Sequence, residues 1–182
     1  MIEFLPRAAA HLVFRGRRFH YHHLSAAARD IRGQAILEIG SGRAVRGKHR
    51  YSARHLFDAS NTFVQSDIVS AYGHRVVDVT ELATSQEYDV ILCLNVLEHV
   101  YQFQRALENL HRALRPGGQL FLGVPAYYPL HDEPADYWRF TEHSLRRLLE
   151  PYATVEILHS GFRRYPFAYH VRARKGETRH TD

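Results

Sequence analysis

The chain has 182 residues with 24 Lys+Arg against 19 Asp+Glu, a formal charge of +5, and is 45% hydrophobic and 24% charged. These figures describe one ordinary globular domain with room for a real core; they exclude a disordered chain and leave no space for a second large domain. The single cysteine, Cys93, excludes an intramolecular disulfide and a cysteine-built metal cluster.

No apolar run reaches the length of a membrane span, and His11 and Arg15 interrupt the Ala8 to Phe14 stretch, so neither a span nor a signal-peptide core is expected. A reducing, cytoplasmic home follows as an expectation. The positive charge is almost all arginine, in clusters at Arg15, Arg17 and Arg18 and at Arg163, Arg164, Arg172, Arg174 and Lys175. Both read as solvated surface, so no nucleic-acid partner is expected.

In chain order, residues 1–33 read as an N-terminal helical segment of two pieces, Arg7 to Phe14 and Tyr21 to Ile31, joined around Gly16. His20, His22 and His23 read as a polar surface cluster, because adjacent histidines do not converge on one ion unaided. Residues 34–176 then form the main domain.

Ala35 to Ile39 is a short apolar run with one carboxylate, Glu38, bounded by glycines, and reads as a buried parallel strand. Gly40 and Gly42 let the chain turn sharply off that strand and bring backbone N–H groups close to a ligand. Val45 stands where a dinucleotide-binding loop carries its last glycine.

Arg46 to Ala59 reads as an irregular helix, and Thr62 to Ser66 as a strand that ends in Asp67. An acid at that strand end suits a pair of ribose hydroxyls, or else caps the next turn. Arg75 to Val79 reads as a third strand, and by itself Asp78 reads as a cap for the turn before Leu82.

Val90 to Leu94 is apolar enough for a central strand, with Cys93 as core, and Asn95 opens the loop before a helix from Val100 to Leu114. Arg115-Pro116-Gly117-Gly118 stops that helix, and Gln119 to Val124 is the next strand. The connection from Pro125 to Thr141 concentrates aromatic and ionisable residues, and loops this long in a compact domain are usually functional. Thr141 caps a helix with Ser144 to Leu149 as its body and Pro151 as its stop, and Thr154 to Leu158 and Phe167 to Ala173 supply two final strands.

Several of these stretches match one family. Glu38-x-Gly40-x-Gly42-x-Ala44 resembles motif I of the class I S-adenosylmethionine-dependent methyltransferases, with Ala44 where the family usually has a third glycine. Tyr88-Asp-Val-Ile-Leu-Cys93, Leu97-Glu-His-Val100 and Leu114-Arg-Pro-Gly-Gly118 resemble the fourth and fifth motifs of its small-molecule branch, in the right order over residues 35 to 124.

The resemblance implies an α/β fold, a Rossmann-like three-layer sandwich on a mostly parallel seven-stranded sheet with one antiparallel strand and helices between the first five strands. It implies S-adenosylmethionine as cofactor, held by Glu38, Gly40, Ser41, Gly42, Asp67, Ile68, Asp78, Val79, Leu94 and Asn95. No Asn-Pro-Pro-aromatic turn follows Leu94, which argues against an amino-modifying nucleic-acid enzyme and for a small-molecule acceptor, an oxygen nucleophile such as a sugar or natural-product hydroxyl.

Asp136-Tyr-Trp-Arg-Phe-Thr141 resembles a segment of a glycan- or polyketide-tailoring branch, which places Tyr127, Asp136, Tyr137, Trp138 and Arg139 at the acceptor; as structure alone, Asp136 and Arg139 form an ion pair in a lid. A hydroxyl acceptor calls for a base. His131 is the first candidate, oriented by Asp132 or Asp136, and His99 is the second. No metal ligand set is assigned, and the oligomeric state is left open. Two other readings stand beside this one: a nicotinamide-dependent oxidoreductase on a related sheet, and a non-catalytic cofactor-binding domain that works through partners.

Overall fold

The computed structural model describes residues 16–44 and 51–177. Seven strands make one sheet: β1 (Ala35–Ile39), β2 (Thr62–Asp67), β3 (Arg75–Val76), β4 (Tyr88–Leu94), β5 (Leu114–Pro125), β6 (Thr154–Phe162) and β7 (Tyr165–Arg174). Their spatial order is β3-β2-β1-β4-β5-β7-β6. All neighbours are parallel except β7, which runs antiparallel to both β5 and β6. The chain moves outward from β1 in one direction and then returns to add β4 on its other side, so the ends of β1 and β4 flank the crevice where open α/β sheets bind ligands.

Both faces of the central strands are buried, which is why their sequences read as continuous apolar runs. Along β1 and β4 the side chains alternate. Leu37, Ile91 and Cys93 face α2 (Phe103–Ala113) and α3 (Glu142–Leu148) through Leu107, Leu110 and Leu145. Ile36, Val90 and Leu92 face α1 (Gly16–Ala28) through Leu24 and Ala28. Thr141 and Ser144 form a reciprocal capping box at the start of α3. Lys175 closes the other end of α2, its ammonium donating to the carbonyls of His111 and Leu114 at 2.8 Å each. No helix among the described residues is long and apolar enough to cross a membrane.

Several sequence expectations change, beginning with the helix expected over Tyr21 to Ile31, which runs from Gly16 to Ala28. The first helical piece, Arg7 to Phe14, lies outside the described residues, as does Val45 to Arg50; from Tyr51 to Ala59 the structure has a single 3-10 turn, Arg54–Leu56, in place of a helix. Glu38 draws in the Ser52 hydroxyl and the Ala53 N–H, which fixes a turn there. The β2–β3 crossing likewise carries only a 3-10 turn, Ser70–Tyr72, so among the described residues the α-helical crossover within the first five strands is α2.

The third strand stops at Val76, because Val77 donates to the Asp67 carbonyl and the chain then turns through Asp78. The helix after β4 starts at Phe103, three residues later than its apolar spacing suggests, because a 3-10 turn at Leu97–His99 and an extended Val100 precede it. In compensation, β5 starts early: Leu114 already pairs with Tyr88, and an irregular register absorbs the Arg-Pro-Gly-Gly stretch.

His20 also departs from expectation, since it is fully buried while His22 is exposed. Its ring lies against Gly123 of β5 and 5.6 Å from the ring of His170, and neither nitrogen has a partner. Burial, with His170, Arg17 and His23 adding to it, pushes its pKa down to about 3; burial and His23 push His170 to about 4. Both are neutral aromatic packing in the fold.

Candidate functional site

The loop after β1 is held from beneath. Glu38 is buried, and its carboxylate accepts from the Ser41 hydroxyl at 2.6 Å, the Ser52 hydroxyl at 2.5 Å and the Ala53 N–H at 2.6 Å. Burial raises its pKa while these three donors oppose the rise. The residue that motif I places beside the cofactor therefore spends its acceptors on the loop itself.

Gly40 and Gly42 have φ of +73° and +67°, a backbone that side chains rarely adopt. A Cβ at Gly40 would collide with Val96 Cγ2, and one at Gly42 would lie 2.7 Å from Tyr51 Cβ. The loop after β1 is thus pressed against the loop after β4.

Asp67, at the end of β2, is also buried, and accepts from Gly42 N–H at 2.9 Å and Val69 N–H at 3.0 Å, one on each oxygen. A carboxylate has about four acceptor positions, so two remain for hydroxyls. Ile68 beside it is 64% exposed, an apolar surface at a strand end. Asp78 takes both Thr80 donors on Oδ1, at 2.8 and 2.7 Å, so it does cap its turn, with Oδ2 left over. Val79 is core. Asn95 follows Leu94 with φ +56° while its N–H donates to the Gly123 carbonyl, a strained turn that aims the chain out of the sheet.

The second half of the site stands on the loops after β4 and β5. Asp136 is pinned by Arg139 in a bidentate pair, 2.7 and 2.8 Å, and its side chain is 1% exposed. Arg139 also donates to the carbonyls of Tyr128, Trp138 and Pro129. This guanidinium staples the loop. The Asp136 carboxyl is held down to about 2, chiefly by Arg139.

Asp136 Oδ2 receives the His131 N–H at 2.8 Å and lies 3.3 Å from His131 Nδ1. Asp132, the other candidate partner of His131, is exposed at φ +53°. Tyr127 and Tyr137 are also exposed, while Trp138 packs on Phe103 with ring centroids 5.1 Å apart.

His99 Nδ1 lies 2.6 Å from the Ala135 carbonyl, and its ring meets that of His131 edge to face at 4.9 Å. Glu98 completes the group. It is fully buried, its backbone carbonyl accepts from Tyr137 and Trp138 N–H, and neither carboxylate oxygen has a hydrogen-bond partner. Burial pushes the carboxyl up to about 7, against the weaker pull of its own N–H and of Asn95, neither of which reaches hydrogen-bond geometry, and of His99 and Arg139. One ligand atom each from Glu98, His99 and His131 falls within 4.8 Å of the others. Of Leu97-Glu-His-Val100 the sequence points only to His99 as a site residue; the signal for Glu98 is a carboxylate inside an otherwise apolar segment beyond a strand end.

A glycine turn, an acid at the end of β2 and a reversal of strand order at β1 define a nucleoside-binding α/β domain of the class I methyltransferase type. A family model described as a methyltransferase domain matches residues 9–167, and the chain belongs to that family.

Among curated proteins it is 31% identical over 126 residues to the highly reducing polyketide synthase aurA of Calcarisporium arbuscula, covering 54% of this chain and 5% of that one. It is 26% identical over 103 residues to the ubiquinone biosynthesis O-methyltransferase of Klebsiella pneumoniae, covering 50% and 43%. The chain therefore spans less than half the length of these two relatives. Among solved structures, the Burkholderia thailandensis 1,6-didemethyltoxoflavin-N1-methyltransferase has the same fold at TM-score 0.61 and 22% identity, over 95% of this chain and 91% of that one.

Proposed function

We propose that this domain binds S-adenosylmethionine and transfers its methyl group to a small-molecule acceptor through an oxygen nucleophile. The observation that carries the reading is the contact between the two half-sites: Gly40 faces Val96, two residues before Glu98, so the loop that would hold a cofactor abuts the loop that carries Glu98 and His99. The O-methyltransferase relative supports oxygen as the acceptor atom.

Glu38 and Ser41 would shape the loop rather than touch the cofactor; Gly40 and Gly42 would admit it, and Asp67 would accept from its ribose. Ile68, Val79 and Leu94 would offer apolar surface, with Asp78 Oδ2 and Asn95 as polar contacts. Bound there, the cofactor supplies a sulfonium-activated methyl group open to in-line attack. The protein's part is to position the acceptor and take its proton. Tyr127, Tyr137 and Trp138 would flank the acceptor, with Asp136 and Arg139 holding the loop that carries them. His131 Nε2 is the first proton acceptor, because its Nδ1 side is oriented by Asp136, and His99 is the second.

The test is two-part. Calorimetry should show saturable S-adenosylhomocysteine binding and no binding of NAD or NADP; the reverse would make the domain an oxidoreductase. With an acceptor found by screening hydroxylated small molecules, His131→Ala should keep S-adenosylhomocysteine affinity and lose roughly 10²–10⁴-fold in turnover, the usual worth of a positioned base. Unchanged turnover in a folded variant would remove His131 from that role.

A further inference from the structure

The cluster of Glu98, His99 and His131 is more than a base needs. A buried carboxylate with both oxygens unpartnered is costly in a folded protein unless something positive completes it. Nearby arginine does not: the Arg139 guanidinium is committed to Asp136 and to three carbonyls.

The two imidazoles beside Glu98 are arranged alike. His99 Nδ1 is 2.6 Å from the Ala135 carbonyl, an acceptor, so that nitrogen carries the proton. His131 Nδ1 sits 3.3 Å from the Asp136 carboxylate and 3.3 Å from the Pro129 carbonyl, again acceptors. In the neutral tautomer that these acceptors favour, each ring carries its lone pair on Nε2, and a backbone carbonyl or a carboxylate behind Nδ1 is the support that metal-binding histidines receive.

We infer that Glu98, His99 and His131 form a three-ligand site for a divalent transition-metal cation of the zinc class, open on the acceptor side. Two imidazoles and one carboxylate suit Zn²⁺, Co²⁺ or Fe²⁺ and not Mg²⁺, which prefers an all-oxygen shell. One ligand atom from each residue already lies within 4.8 Å of the other two. Three protein ligands leave a coordination position for water or for an acceptor oxygen, the arrangement of catalytic rather than structural sites. An occupied site would act on an acceptor oxygen directly and so take over the task given to His131 above. Loss of turnover in His131→Ala therefore does not separate the two, and cation binding does.

The experiment uses the untagged full chain, stripped with EDTA and then titrated with CoCl₂ while visible ligand-field absorption is followed, with ZnCl₂ displacement and metal analysis after gel filtration. Wild type should take up one equivalent of Co²⁺ with a d–d spectrum and yield it to one equivalent of Zn²⁺. Glu98→Gln, His99→Ala and His131→Ala should each weaken binding at least about tenfold, and His159→Ala, which changes an exposed histidine on β6, should not.

Thermal melts confirm that each variant is folded. If Glu98→Gln fails to fold, His131→Ala, which alters a loop residue, decides the matter. Absence of the spectrum in wild type, or a spectrum that survives His131→Ala, overturns the assignment. S-adenosylhomocysteine affinity measured on the same stripped samples keeps this inference apart from the methyl-transfer reading, because that affinity does not depend on the cation.

Discussion

Glu38 and Glu98 are both buried carboxylates just beyond or within the ends of neighbouring strands, and they are treated in opposite ways. Glu38 receives two hydroxyls and a backbone N–H. Glu98 receives none. The half-site after β1 and β2 is finished: its acids spend lone pairs on the loop backbone, and what they offer a ligand is shape together with a few spare acceptors. The half-site after β4 and β5 is unfinished, with its backbone stapled by Arg139 while the Glu98 carboxylate is left without a hydrogen bond. Binding surfaces tolerate satisfied groups; reacting or ligating groups must be kept free, and the fold bears that cost.

The most severe way to test the finished half is to fill it. Gly40→Val puts a branched side chain at φ +73° and against Val96, so the loop must move. S-adenosylhomocysteine binding should be lost altogether by calorimetry. A variant with wild-type affinity would show that the loop after β1 is not where the cofactor sits.

Next comes the carboxylate that holds the loop. Glu38→Gln replaces an acceptor by an amide N–H₂ facing the same donors, so at least one buried donor is left unpaired. Unfolding in urea should show a loss of about 2–4 kcal/mol, one to two buried polar groups at the usual penalty. A smaller loss than that of an exposed control would mean that the serines reorganise freely and that the loop is not pinned.

Asp67→Ala should cost less. On the proposed function it would remove charge-assisted acceptors for the ribose, worth about 1.5–3 kcal/mol of cofactor affinity, and it also frees Gly42 and Val69 N–H, so a stability loss of about 1 kcal/mol should accompany it. Calorimetry on the folded variant checks the first number, and unchanged affinity would move the ribose contact elsewhere.

How much of this was readable beforehand follows from the same contrast. The sheet was legible because β1, β4 and β5 are buried on both faces and their composition says so, and because Thr141-x-x-Ser144 encodes its own cap. Glu38, Gly40, Gly42, Asp67 and Asp78 could be placed from local motifs, since each sits at a strand end. What could not be read depends on contacts between distant segments. The burial of His20 comes from a bare patch of β5 at Gly123, more than a hundred residues away in sequence. The work of Arg139 comes from carbonyls across its own loop, which no residue pattern announces. Glu98 is visible in the sequence, yet its lack of hydrogen-bond partners belongs only to the folded chain.

The smallest expected effect bears hardest on the comparison. Glu98→Gln keeps size and shape, and the residue it replaces has no hydrogen bond to lose. Measured by urea unfolding in EDTA, its stability should lie within about 1 kcal/mol of wild type, or slightly above it, because a buried unpaired carboxylate has been exchanged for a neutral amide. The equivalent change at Glu38 should cost several times more. A Glu98→Gln protein as damaged as Glu38→Gln would mean that Glu98 is satisfied after all in solution, and that the half-site after β4 and β5 is as finished as the other. A near-silent stability change would leave Glu98 with no role in holding the fold, and its place beside His99 and His131 would have to be explained by what those three groups bind.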